Sequence, residues 1–250
     1  MIKVSVVGDC HTARVYSHHV IANISKNFIK PRTWKKDREI ENTGVELYMW
    51  GLAGYKCWGI DYQKDYDSKT LSSSSEDVPD LSPITDNLVD IFSFSETKDS
   101  DIVMPWLGYI DIRNFLCKYK NSKEVAEEYF DKTLKFFSDS QVRFIEPFPQ
   151  FDILGTDNYD ENYSLLERKE ESDIFIKTLH DLSIDNGLLP PISQSLVYNA
   201  IGTDTITKRF AKQGGEYHNY TLLDGLRSEE NKKIYNALVP EILSTVRLLS

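Results

Sequence analysis

Apolar residues recur along this chain at two different periods, and the changeovers mark its elements. The run Ile2-Lys3-Val4-Ser5-Val6-Val7 reads as a strand that breaks into Gly8-Asp9-Cys10-His11-Thr12. From Ala13 to Asn27 the apolar residues Val15, Val20, Ile21 and Ile24 fall at helical spacing, and Pro31 ends that helix or lies just beyond it. Val45 to Trp50 is a second strand, opening into Gly51-Leu52-Ala53-Gly54-Tyr55-Lys56-Cys57. Residues 61–83 turn to Asp, Ser, Lys and Pro without a period and read as a long surface loop.

A helical pattern returns over Ile84 to Phe94, through Leu88, Ile91 and Phe92. Asp101 to Leu107 is the third strand, ending at Gly108; Pro105 removes a ladder donor, so a bulge or a strand end is expected there. Ser122 to Ser138 carries Val125, Ala126, Tyr129, Phe130, Thr133, Leu134 and Phe137 on one helical face. Val142 to Glu146 is the fourth strand, and Gly155 to Tyr163 an exposed acidic loop. Glu170 to Leu182 is helical, Ser193 to Ile201 either a strand or a short helix, and Glu229 to Leu248 a helix in which Pro240 predicts a kink.

Strands alternating with helices define an α/β class: three layers, α/β/α, with a mainly parallel central sheet and helices on both faces. At 250 residues the chain suits a single domain with a sizeable core. In such sheets the site lies at the carboxyl ends of the strands. The three glycine-bearing turns, after Val7, Trp50 and Leu107, gather on that edge.

Composition narrows the partners. A formal charge of −10 without a basic run argues against nucleic acid and anionic membranes. The three cysteines, Cys10, Cys57 and Cys117, have no C-x-x-C spacing, so neither a disulfide framework nor a zinc knuckle is indicated. A reducing compartment fits, and with neither a signal peptide nor a long apolar span the expected location is the cytoplasm or a virus particle assembled there. No cofactor and no metal are expected. Cys10, Cys57 and His11 make three soft ligands without a fourth.

The chemistry concentrates at Gly8-Asp9-Cys10. Glycine relieves a strand-to-helix turn, Asp9 can cap the new helix, and a thiol there lies over helix-terminal N–H groups that favour negative charge. A buried, inert cysteine at a strand end is the plainer reading of the same residues.

Taken together, the motifs resemble the SGNH, or GDSL-type, hydrolases over nearly the whole chain. In those enzymes a Gly-Asp-Ser turn carries the nucleophile, a second block supplies a glycine N–H, a third is Gly-x-Asn-Asp, and an Asp-x-x-His pair precedes a C-terminal helix. Gly8-Asp9-Cys10-His11-Thr12 resembles the first block and Gly51-Leu52-Ala53-Gly54 the second. Leu107-Gly108-Tyr109-Ile110-Asp111-Ile112-Arg113 resembles the third, in the Gly-x-Ile-Asp-x-Arg form that a subset of such proteins has, and Asp224-Gly225-Leu226-Arg227 the fourth. The resemblance implies a flavodoxin-like layering and an ester hydrolase or acyltransferase acting on O-acyl groups, for instance of a carbohydrate. Cys10 would be the nucleophile, and the N–H groups of Cys10 and Gly54 the oxyanion hole. Asp224 would orient the base, with Asp9, His11, Gly108, Ile110, Asp111, Arg113 and Arg227 around the pocket.

Three signature positions depart from that pattern. Cys10 for serine keeps a nucleophile. Ile110 for asparagine removes an oxyanion donor, a loss that typically costs about 100- to 1000-fold in turnover. Arg227 for histidine removes the base, because a guanidinium stays protonated; it can only hold a thiolate or an anionic ligand. His218, a few residues before Asp224, and His11 are the candidate replacements, while His18, His19 and His180 read as helix residues. Asp111 and Arg113 read as structural support, paired with each other or with Asp9. Trp50, Trp58, Trp106 and Tyr109 are core, or the rim of a sugar-binding cleft. The alternative to an enzyme is a degenerate domain of this type kept for binding or assembly, for instance in a viral particle.

Overall fold

The computed structural model describes residues 1–9, 12, 15, 39–40, 42–52, 54–70, 93–150, 163–202 and 225–249, with the backbone alone at 39, 113–114 and 225–231. Its centre is a five-stranded sheet of β1 (Ile2–Asp9), β2 (Glu39–Ile40), β3 (Val45–Leu52), β4 (Ile102–Trp106) and β5 (Gln141–Val142), in the order β2-β3-β1-β4-β5. β3, β1, β4 and β5 are parallel, and β2 adds an antiparallel edge through the turn at Asn42 to Gly44. β1 pairs with β3 from Ile2 to Asp9 and with β4 from Val4 to Gly8. The α/β class expected from the alternating elements is the class observed.

Both faces of the sheet are covered. From Val4 to Asp9 consecutive residues point to opposite faces, and all are buried, as are all five residues of β4. The helices are α1 (Tyr62–Ser68), a segment α2 spanning residues 109–119, α3 (Ser122–Phe136), α4 (Leu165–Asp185), α5 (Ser195–Ile201) and α6 (Gly225–Leu249). α2 is irregular: Tyr109–Asp111 is followed by a π-helical turn at Ile112–Leu116 and then by Cys117–Tyr119. Tyr129 and Phe130 of α3 and Phe175 of α4 lock onto the β5 side, where Phe130 stacks on Phe144 at 5.1 Å and Tyr129 meets it edge-on at 5.5 Å.

Several sequence expectations shift. The loop expected over residues 61–83 begins with α1: Asp61 caps it by accepting from Lys64 N–H at 3.1 Å, and Tyr62 is buried among Phe94, Phe136 and Phe137. One buried ring in a seven-residue helix leaves no period to see. Residues 71–83, and 84–92 of the helix expected over 84–94, lie outside the described residues; Phe94–Thr97 is a 3₁₀ turn closed by a capping box from Ser93 to Glu96. Of the first helix only Thr12 and Val15 are described, both helical.

The fourth strand is shorter than expected. Only Gln141–Val142 joins the ladder, and the chain beyond it makes a parallel bridge between Ile145 and Ile192 instead. Pro105 is the penultimate residue of β4; its carbonyl accepts from Ile145 N–H at 2.9 Å, so the donor it lacks faces the side where β5 has already ended. Residues 195–201 resolve as a helix, and α4 starts five residues earlier than its apolar pattern suggested, at a Ser164/Glu167 capping box. α6 runs through Pro240.

Gly8 sets the spacing at the site edge. A methyl group placed on it would run into the Thr12 side chain and lie 2.5 Å from the Trp106 carbonyl oxygen, which is backbone and cannot give way. Replacing Gly8 by Ala is expected to lower stability by roughly 1–3 kcal/mol, the range for overpacking a tight core. A reduced denaturation midpoint at unchanged slope checks this.

Candidate functional site

The strand ends that carry the three motif blocks fall in one row. Gly8 of β1 is in register with Gly51 of β3 on one side and Trp106 of β4 on the other, and Asp9 with Leu52. The first, second and third turns therefore leave the sheet side by side at its carboxyl edge, as the glycine spacing predicted. Asp9, at the end of β1, is buried. Gly54 turns with φ +73°, closed by Tyr55 N–H donating to the Leu52 carbonyl at 3.0 Å. Gly108 has φ +111°, and a Cβ there would lie 2.8 Å from Pro147 Cγ, so both conformation and space demand glycine.

Asp111 is fully buried and faces the second block, not an open pocket. Its Oδ2 accepts from Cys57 N–H at 2.8 Å and its Oδ1 from Trp58 N–H at 2.9 Å. Burial holds the carboxyl above its ordinary range, opposed by those two N–H groups and reinforced by the nearby Asp9. Cys57 is buried beside it; burial pushes the thiol up, and the charges of Asp111 and Asp9 push it further. Support was the role expected of Asp111, but its partners are backbone amides of the second block. The sequence offered no signal for that, because backbone donors carry no residue identity.

Ile110 is 9% exposed and presents only hydrocarbon. Trp50 and Trp106 belong to the core, Trp106 stacked on Phe148 at 4.8 Å, while Trp58 and Tyr109 are half-buried. His180, expected as a plain helix residue, contacts the buried Glu146 at 2.8 Å; Glu146 also accepts from Gln194 N–H at 2.8 Å and so ties α4 to the start of α5. Cys10, His11, His218 and Asp224 lie outside the described residues, as do the side chains of Arg113 and Arg227. Among the described residues no group of three or more His, Cys, Asp or Glu is placed to hold a metal ion. Nor is any helix among them long and apolar enough to cross a membrane.

A separate cleft of about 610 Å³ is lined by Ile60, Tyr62, Lys98, Lys132, Lys135 and Phe136, among others. Two of its lysines serve the end of α3, and the third reaches the chain before α1. Lys98 Nζ donates to the Phe136 carbonyl, Lys132 Nζ donates to the Ile60 carbonyl at 3.0 Å and pairs with Glu128, and Lys135 lies in the last helical turn, where a cation is favoured.

No family model and no curated protein matches this chain. Among solved structures it is similar to a protein from Lactobacillus plantarum at 13% identity, covering 97% of each chain with a TM-score of 0.48. It is also similar to an extracellular lipase from Streptomyces rimosus at 12% identity, over 96% of this chain and 99% of that one, with a TM-score of 0.42. A third likeness is to a gut microbial diltiazem-metabolizing enzyme, at 14% identity and a TM-score of 0.41; it takes in 84% of this chain, which spans only 40% of that enzyme. Likenesses this distant carry no residue correspondence.

The two described cysteines are poor nucleophiles. Cys117 is 2% exposed, donates to the Ile112 carbonyl at 3.3 Å, and is pushed up to about 11 by burial. Alkylation of the native protein at pH 8, mapped by mass spectrometry, is expected to leave Cys57 and Cys117 unlabelled until denaturant is added.

Proposed function

We propose that the carboxyl edge of this sheet is an acyl-transfer centre of the SGNH type, with Cys10 as nucleophile acting on a small O-acyl ester such as an acetylated sugar. The observation that carries this reading is the shared register of Gly8, Gly51 and Trp106, which starts the three motif-bearing turns side by side. The first turn follows a central parallel strand and leads into helical residues at Thr12 and Val15, the setting in which backbone N–H groups converge on an anion. The N–H groups of Cys10 and Gly54 form the oxyanion hole, His218 or His11 takes the proton, and Asp224 orients the base. Trp58 and Tyr109, half-buried beside the second and third turns, offer ring faces to a sugar.

With Ile110 in place of a third donor, turnover is expected about 100- to 1000-fold below that of a complete hole. A chromogenic acetyl ester should still be hydrolysed above background, and Cys10→Ala should abolish the excess. Equal rates for the two proteins would overturn the reading.

The apolar Ile110 favours a second reading, a binding domain of the same architecture without turnover. On that reading esterase activity appears only when Cys10→Ser, Ile110→Asn and Arg227→His are combined. Activity in the unaltered protein rules it out.

A further inference from the structure

We infer that Asp111 is a positioning residue: its buried carboxylate clamps the backbone at Cys57 and Trp58, and through them holds the Gly54 turn in place at the site edge. The catalytic consequence rests on the acyl-transfer reading, whereas the clamp stands on geometry.

The loop from β3 to α1 does little to place itself. Its backbone bonds among the described residues, Tyr55 N–H to Leu52 O and Ile60 N–H to Cys57 O, are local; they shape the loop without fixing it to the rest of the molecule. Gly54 has no side chain, and among the described residues no atom lies within 4 Å of where its Cβ would be, so no packing of its own against them holds it. Lys132 of α3 holds the far end of the loop by donating to the Ile60 carbonyl at 3.0 Å, and what fixes residues 56–58 comes from α2. Asp111 takes the two amides, Trp58 meets the rings of Phe115 and Tyr119 at 5.8 and 5.0 Å, and Lys56 Nζ lies 4.7 Å from the centre of the Phe115 ring. Residues 111, 115 and 119 are spaced by four and share one helical face. That face is the surface on which the second block is seated.

The carboxylate is specific to this task. Two consecutive amides need two acceptors, and in a site sealed from water an unpaired N–H is costly. An apolar residue would orphan both. Asn would supply one acceptor and set its own NH₂ against the second donor. Because Ile110 supplies no donor, the third block acts on the oxyanion site through Asp111, by where it puts the Gly54 amide.

Asp111→Asn and Asp111→Ala test this by hydrogen–deuterium exchange across residues 52–60, alongside hydrolysis of the chromogenic acetyl ester. In Asp111→Asn, exchange at Cys57 and Trp58 is expected to rise about tenfold or more, the equivalent of one lost buried bond, with the amides of β1 and β4 unchanged. kcat should fall while KM stays near the wild-type value, as for a misplaced transition-state donor. Unchanged exchange at 57–58, or equal acceleration throughout the sheet, overturns the clamp. Faster local exchange with unchanged kcat overturns the catalytic part alone. A wild-type protein without esterase activity removes the acyl-transfer reading, and the exchange data still decide the clamp. Should Asp111→Ala fail to fold, Asp111→Asn decides it.

Discussion

β1 hydrogen-bonds to β3 and β4 at once, and every feature of the candidate site follows from the closeness that this imposes at its carboxyl end. Parallel strands lie about 4.8 Å apart, so three chains leaving neighbouring strands crowd one another. The chain resolves the crowding by leaving out side chains. Gly8 admits the Trp106 carbonyl and the Thr12 side chain on its two sides, and Gly108 admits Pro147 and Phe175 in a conformation that other residues avoid. Glycine at these positions is a packing requirement of a doubly flanked central strand.

The crowding also explains a charge in a dry place. Asp111 has no solvent exposure, yet it sits close enough to Asp9 for that charge to be felt, and both push up the neighbouring Cys57 thiol. Its ionised form is disfavoured by burial and favoured by two amide donors, and burial is the larger effect. Because the folded-state carboxyl is raised, its contribution to stability is greatest at acid pH and declines as pH rises through its titration. Such a group persists because it does something an uncharged side chain cannot. Here that is the simultaneous acceptance of two adjacent backbone donors from the loop between β3 and α1.

How much of this was legible from the residues depended on whether an element announces itself by repetition. α3 did: Val125, Ala126, Tyr129, Phe130 and Thr133 form an apolar stripe, and the observed helix ends two residues short of the expected limit. β1, β3 and β4 were visible as apolar runs ending in glycine, and with them the sheet edge at which their turns gather. α1 was not, because one buried tyrosine cannot make a period; the Asp61 cap was the available sign. The Ser164/Glu167 capping box that starts α4 was likewise readable but outweighed by the weak amphipathicity of its first turns. β5 was overestimated because Phe144 and Ile145 are buried by a bridge to Ile192, which looks in sequence like continued strand. The role of Asp111 was out of reach, since its partners are amides more than fifty residues away and a motif records side chains alone.

On the acyl-transfer reading, the three departures from the SGNH pattern are less contradictory together than apart. A serine nucleophile depends on a base to remove its proton at the moment of attack, so losing the histidine disables it. A cysteine depends on the fraction of thiolate already present, and a fixed cation raises that fraction by lowering the thiol pKa. Cysteine with arginine at these two signature positions is thus a chemically coherent combination, where serine with arginine would not be. What a guanidinium cannot do is return a proton to the departing alcohol. On the proposed reading His218 or His11 has that task, and Arg227 acts only on the thiolate fraction. With Ile110 giving no donor, the remaining electrostatic work falls on backbone amides. Their placement is set by glycine turns and by one buried carboxylate, and not by any side chain that touches the substrate.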